Sequence, residues 1–319
     1  MKRRLSILLI PAFGLLAACA PAMNWAVYTS DPDKARLITS DIANFWQAYD
    51  QGKSGDLRQS LESLYLGKAS SGLKDWVRLR LKSGEQLAQT VQAKRGYYES
   101  TRASTSRIAE LEPQIRRSFG RLKQLYPEAV FPDVYFVIGR MNSGGTFGPS
   151  GLLIGAELYG RTPHSPTAEL DDWEKAVTQP VEQLPYLVAH ELIHAQQRYR
   201  MLIPTLLAQS VKEGSADFIA ELIAGGHANP SLHRYGDANE KALWLEFKTA
   251  MHGTDLSNWL YQGSKSTDRP ADLGYYVGYK IVEAYYQRAT DKQKAIREIL
   301  HIQDFDAFLG ASGYAARFE

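Results

Sequence analysis

The 319-residue chain is poor in cysteine, with Cys19 alone, and poor in long apolar runs. A lone cysteine excludes an internal disulfide and a zinc site built from thiolates. Beyond the first 18 residues, no apolar stretch is long enough to span a bilayer, and no repeat or low-complexity tract occurs. Net charge is also small. Without Lys2, Arg3 and Arg4, 34 basic residues stand against 35 acidic ones, so the composition gives no indication of a nucleic-acid partner.

The N-terminus has the pattern of an export signal. Three basic residues precede a short apolar run, which ends in Leu16-Ala17-Ala18-Cys19. This ending resembles the lipobox of bacterial lipoproteins, which implies cleavage before Cys19 and lipid attachment to it. Residues 1–18 are then the signal peptide and residues 19–30 a tether. By the same likeness, Ala20 favours the outer membrane, with the protein facing the periplasm. The alternative is an ordinary signal peptide with a chance cysteine.

Apolar spacing predicts an α+β protein that is mainly helical. Ile38, Ile42, Phe45 and Tyr49 recur at helical intervals, and helical patterns continue to about residue 125. We divide the rest of the chain into an N-terminal helical region (31–125), a central region (126–226) and a C-terminal helical lobe (227–319). Because residues 190–194 have the metal-binding pattern His-Glu-Leu-Ile-His, we expect the central region to be a metal-binding catalytic core.

Within the core, the period changes to that of strands. Two short runs, Val134–Ile138 and Leu152–Ile154, are predicted to be strands, and the glycines of residues 144–149 predict a loop between them. Residues 160–180 are predicted to be a second loop. Helices are predicted at about 182–200, 206–224, 242–251, 275–286 and 292–300.

Residues 190–194 read His-Glu-Leu-Ile-His. On a helix, His190 and His194 share a face, so both imidazoles can reach one ion. Glu191 lies beside that face, where it could take a proton from a metal-bound water. A catalytic zinc usually has three protein ligands, so this pattern calls for one more.

The next predicted helix offers that third ligand. Glu213 and Asp217 are spaced i, i+4. Glu213 could bind the ion, and Asp217 could accept the outward N–H of a liganding histidine. The small residues Gly214 and Ala216 would let this helix approach the metal helix closely. The alternative is that both carboxylates lie on a solvated helix face.

A His-Glu-x-x-His helix followed by Glu-x-x-x-Asp resembles the gluzincin metallopeptidases, the thermolysin-like class. The chain is more closely similar to a bacterial family of predicted zinc-dependent proteases. Segments Asp41–Asp50 and Tyr126–Glu157 add to that likeness. The resemblance implies a small sheet packed on the metal helix, a helical second lobe and a cleft between them.

The resemblance also implies further site residues. A tyrosine of the C-terminal lobe, among Tyr275, Tyr276 and Tyr279, would stabilise an oxyanion. An edge strand over residues 152–158 would bind substrate backbone through Leu152 and Gly155, and Glu157 could hold a substrate amine. The alternatives are helix packing for the tyrosines and plain solvation for Glu157.

These inferences predict a zinc metallopeptidase, anchored by lipid on Cys19, that hydrolyses peptide bonds with Glu191 as base. A peptide or protein substrate and the membrane are the expected partners. Two other interpretations remain open. One is a non-catalytic envelope binding or assembly lipoprotein that contains a metal, and the other is a zinc hydrolase of a non-peptide bond.

Overall fold

A computed structural model describes residues 28–199, 201, 204–227, 230–262 and 269–319. Cys19 and the predicted signal lie outside the described residues. The fold is α+β and mainly helical, as the sequence predicts. In the described part of the chain no helix has both the length and the apolarity to cross a membrane. The α-helices are α1 (Ser40–Gly52), α2 (Leu57–Ser60), α3 (Ser71–Trp76), α4 (Gly84–Ala93), α5 (Arg95–Thr105), α6 (Glu112–Leu125), α7 (Asp172–Val177), α8 (Leu184–His194), α9 (Leu206–Ala224), α10 (Pro230–Ala250), α11 (Leu273–Arg288), α12 (Lys292–Leu300) and α13 (Phe305–Ser312).

A small mixed sheet accompanies these helices. Its strands are β1 (Leu37–Ile38), β2 (Val134–Val137), β3 (Gly145–Gly148) and β4 (Gly151–Gly155), in the order β1-β2-β4-β3. The first three in that order run parallel, and β3 pairs antiparallel to β4. Helices α3 and α8 both contact β4, which is buried throughout. A central strand buried in this way has the continuous apolar sequence that Leu152-Leu153-Ile154 shows.

Two predicted loops are wrong in part. The glycine-rich stretch at 144–149 contains the edge strand β3, because its backbone bonds to β4 even though its glycines favour turns. The stretch at 160–180 contains α7, which begins at a capping box between Asp171 and Glu174.

The two helices that carry the predicted ligands have clear local signals. Pro185 lies in the first turn of α8. The side chain of Thr205 caps α9 by accepting from Ala208 N, and α9 ends at Gly225 in the left-handed conformation with φ of 81°. The bounds of α9 match the predicted helix at both ends. In contrast, α8 stops at His194 rather than continuing to residue 200.

The end of α8 is fixed by side chains that bind its last carbonyls. Gln196 donates to the carbonyl oxygens of Leu192 (3.0 Å) and Val130 (2.8 Å), while its own Oε1 accepts from Val130 N. Arg198 donates to the carbonyl oxygen of Ala195 at 2.9 Å. These bonds satisfy acceptors that a longer helix would otherwise use, so His194 lies on a final turn with a defined position.

Close approach of α9 to α11 depends on glycine. A Cβ atom added to Gly214 would lie 2.0 Å from Tyr279 N, and one added to Gly278 would lie 1.7 Å from Ser210 O. Both obstacles are backbone atoms. The expectation that Gly214 serves the approach of α9 to the metal helix is therefore wrong, since Gly214 faces α11 on the other side.

We predict that Gly278→Ala lowers the free energy of unfolding by about 3 kcal/mol, because overpacking against backbone forces the two helices apart. Gly120→Ala in α6 is the matched control, since nothing lies within 4 Å of its added Cβ. That substitution should stabilise the protein by about 0.5 to 1 kcal/mol, since alanine favours the helix. Denaturant unfolding measures both. Equal effects of the two substitutions would contradict the packing argument.

Candidate metal centre

Helices α8 and α9 bring the three predicted ligands together. His190 Nε2 lies 3.0 Å from His194 Nε2. Glu213 Oε2 lies 3.1 Å from the nitrogen of His194 and 3.6 Å from that of His190. One ligand atom from each residue lies within 4.8 Å of the other two, and no further His, Cys, Asp or Glu of the described ranges joins them. His190 and Glu213 are buried, and His194 is partly buried.

The outward nitrogens of the two imidazoles are each bound by an acceptor. Asp217 Oδ1 lies 2.7 Å from His190 Nδ1. Gln197 Oε1 lies 2.9 Å from His194 Nδ1. The orientation of the Gln197 amide follows from its other end, because its Nε2 donates to the carbonyl oxygen of Lys212 at 2.7 Å. A carbonyl only accepts, so the amide oxygen is the atom that faces His194.

These bonds determine the tautomers. Since Asp217 and Gln197 present acceptors, both Nδ1 atoms carry hydrogen, and in the neutral rings both Nε2 atoms carry lone pairs. Two nitrogen lone pairs and a carboxylate oxygen then converge on one point. Three acceptors without a donor repel one another, and a cation between them removes that repulsion.

The electrostatics of the buried groups point the same way. Burial lowers the pKa of His190, but the carboxylates of Asp217, Glu213 and Glu191 outweigh it and hold that pKa well above its ordinary value. Burial raises the pKa of Glu213, but the two histidines outweigh it and hold that pKa well below its ordinary value. The carboxylates therefore surround His190 with negative charge, and a cation bound at its Nε2 would take the place of the proton that this charge favours.

Other predicted site residues surround the cluster. A Cβ atom on Gly145 would lie 2.6 Å from Glu191 Oε1, so the Glu191 carboxylate lies against the backbone of β3. Tyr275 stacks on His190 with ring centroids 6.2 Å apart. The other two tyrosines bind elsewhere, since Tyr276 donates to Asp237 and Tyr279 donates to Glu221.

The proposed substrate strand is not an edge. β4 pairs with β2 on one side and β3 on the other, so the backbone around Leu152 has no free edge, and that expectation is wrong. Gly155 donates through its N–H to the carbonyl oxygen of Gly144 at 2.8 Å. Parallel pairing of β4 with β2 could not be read from two short apolar runs.

Glu157 is fully buried, not solvated and not available to a substrate amine. Its carboxylate accepts from Gly139 N at 2.8 Å and Met141 N at 3.1 Å. Met141 has a φ of 60°, in the left-handed region, so these bonds hold a strained turn after β2. Burial raises the pKa of Glu157 to about 7, although the two backbone donors act to lower it.

Two residues of the site were missed by the sequence reasoning. Gln197 lies three positions after His194, a spacing that could have indicated a second imidazole partner. Tyr261 donates from its hydroxyl to Glu213 Oε1 at 2.7 Å, and it comes from a loop with no motif.

Comparison with protein-family models shows which family the chain belongs to. Residues 82–316, about three quarters of its length, match the family model described as gliding motility protein GldB, a lipoprotein family. The chain belongs to this family. Neither the curated proteins nor the solved structures give a significant match.

This membership corrects the expectation from the metal motifs. The matching family is one of gliding motility lipoproteins and not a gluzincin or protease family, so the gluzincin assignment and the assignment as a zinc peptidase or hydrolase are wrong. The lipoprotein prediction agrees with the family, which fits attachment to the cell envelope by lipid.

We predict that Glu157 makes stability depend on pH. Between about pH 4.5 and 7 the folded protein holds a proton on Glu157 that the unfolded chain has lost, so the free energy of unfolding falls as pH rises through this window. Glu157→Gln cannot ionise and should have a flatter profile, by up to about 3 kcal/mol over the window. Denaturant unfolding at several pH values measures the difference. Parallel profiles for the variant and the wild type would contradict the role of Glu157.

Proposed function

We propose that this protein is a lipid-anchored envelope component of a gliding-motility apparatus, and that it binds or assembles other proteins with the help of one structural zinc ion. The observation that supports the zinc is the convergence of His190 Nε2, His194 Nε2 and Glu213 Oε2, with both Nδ1 atoms already bound. The observation that supports the role is membership of the gliding motility protein GldB family.

Zinc suits this donor set better than the other common biological ions. Two imidazole nitrogens with one carboxylate oxygen form a frequent zinc environment, whereas magnesium and calcium prefer oxygen ligands alone. The ion would join α8 to α9. The unfolded chain has no preformed site for the ion. Because the ion would bind only the folded protein, its binding free energy would add to the stability of the fold.

The lipid on Cys19 would place the protein on the membrane surface, on the periplasmic side of the outer membrane if Ala20 acts as in similar lipoproteins. The partners would be proteins of the same envelope assembly. Without the three N-terminal basic residues the charge is nearly balanced, which gives no reason to expect a nucleic acid.

We predict one zinc per chain, lost in His194→Ala and in Glu213→Ala. Asp217→Ala should weaken zinc affinity by about 10 to 100-fold, because Asp217 orients His190. Glu221→Gln is the matched control. Glu221 lies one turn further along α9 and binds Tyr279 and His227 rather than a ligand. Competition with a chromophoric chelator measures the zinc affinities of the four variants and of the wild type. Wild-type zinc affinity in His194→Ala would contradict the proposed site.

The non-catalytic role is tested in the cell. Glu191 is not one of the three ligands, so Glu191→Gln should keep zinc and support gliding as the wild type does, while His194→Ala should lose zinc and fail. Colony spreading and single-cell movement are the measurements, in a strain that lacks the wild-type copy. Loss of gliding in Glu191→Gln, at wild-type protein level and zinc content, would contradict a purely structural ion.

A further inference from the structure

The two oxygens of the Glu213 carboxylate have different partners. Oε2 faces the histidines, at 3.1 Å from His194 Nε2 and 3.6 Å from His190 Nε2. Oε1 accepts from the Tyr261 hydroxyl at 2.7 Å and lies 3.7 Å from Lys212 Nζ. The two carboxylate oxygens therefore lie in different environments. Oε2 faces the two histidines, and Oε1 faces the Tyr261 hydroxyl and the Lys212 ammonium group.

Tyr261 has an unusual backbone. Its φ is 58°, in the left-handed region that tyrosine seldom adopts because its Cβ atom crowds the backbone there. The loop around it is closed by a reciprocal pair of bonds. Gln262 N donates to Asp272 Oδ1 and Asp272 N donates to Gln262 Oε1, each at 2.9 Å. These bonds hold Tyr261 in place despite the strain.

Core packing does not explain where the Tyr261 ring lies. The two preceding residues, Trp259 and Leu260, are buried at 2% exposure each, and Gly274 N binds the carbonyl oxygen of Trp259. Tyr261 itself is 56% exposed, unlike most large aromatic residues of the described chain. A strained, exposed tyrosine whose hydroxyl donates to a candidate ligand indicates a role at that ligand.

We propose that Tyr261 is a positioning residue that keeps Glu213 monodentate, so that the protein contributes three ligand atoms and not four. This inference rests on the metal site of the proposed function. A hydrogen bond of 2.7 Å to Oε1 competes with the ion for that oxygen, and it fixes the rotation of the carboxylate that points Oε2 at the histidines. Without the phenol, Oε1 keeps only the more distant Lys212 ammonium, at 3.7 Å, and can turn toward the ion as a further ligand.

Three protein atoms and one water would make the bound ion four-coordinate. Cobalt(II) in place of zinc tests the proposal, because its visible absorption is strong in a four-coordinate site and weaker when a fifth ligand atom joins. Tyr261→Phe should still bind one cobalt per chain, with a weaker visible band, and should release it to a chelator more slowly than the wild type, because Oε1 then also binds the ion. Tyr261→Gly removes the same phenol and relieves the positive φ, so it should give the same spectrum with a more stable fold.

Tyr285→Phe is the matched control. Its hydroxyl donates to Glu298 at 2.6 Å on another part of the surface, and its spectrum should equal that of the wild type. Wild-type spectra and release rates in both Tyr261 variants would overturn the positioning role while the metal site stands. Absence of cobalt and zinc from the wild type would overturn this inference together with the proposed site, and the stoichiometry distinguishes the two failures.

Discussion

Three acceptor atoms without a donor meet between α8 and α9, and the arrangement around them leaves the two imidazoles little freedom. Asp217 and Gln197 bind the outer nitrogens, so the inner nitrogens of His190 and His194 carry lone pairs that face Glu213. Gln197 is held in turn by Lys212, on the helix that carries Glu213. A cation at this point would satisfy all three ligands at once, and its binding free energy would then add to the stability of the fold.

Helix α11 packs against α9 on the side opposite α8 and supports the position of the ligand Glu213. α9 carries Glu213 and Asp217 on the face toward α8, while Gly214 faces the backbone of α11. α11 in turn brings Tyr275 onto His190, and the segment before it brings Tyr261 onto Glu213. Helix α9 thus lies between α8, which carries the two histidines, and α11, which carries Tyr275.

Much of the centre could be predicted because it depends on local spacing. The i, i+4 pairs His190–His194 and Glu213–Asp217 each define a helix face, and the bounds of α9 follow from Thr205 and Gly225. The sheet could not be predicted to the same extent. Two of the four residues of β3 are glycine, and its position at the edge depends on pairing with a strand that follows it. Tyr261 was unpredictable for a different reason, because its left-handed backbone and its contact are both tertiary.

The motif also illustrates the difference between a site and a reaction. His-Glu-x-x-His followed by Glu-x-x-x-Asp specifies where an ion would be held, and the structure brings those residues together. It led to a peptidase assignment that the family of the chain contradicts, since the match is to the gliding motility protein GldB family. Ligand geometry and chemistry are separable properties of a fold.

We propose that one ion binds where His190, His194 and Glu213 converge. Anomalous diffraction from crystals grown with zinc, recorded on both sides of the zinc absorption edge, tests it most directly. We predict one strong peak per chain, bounded by His190 Nε2, His194 Nε2 and Glu213 Oε2. A peak bounded by other residues, or none in crystals that diffract well and contain no chelator, would contradict it.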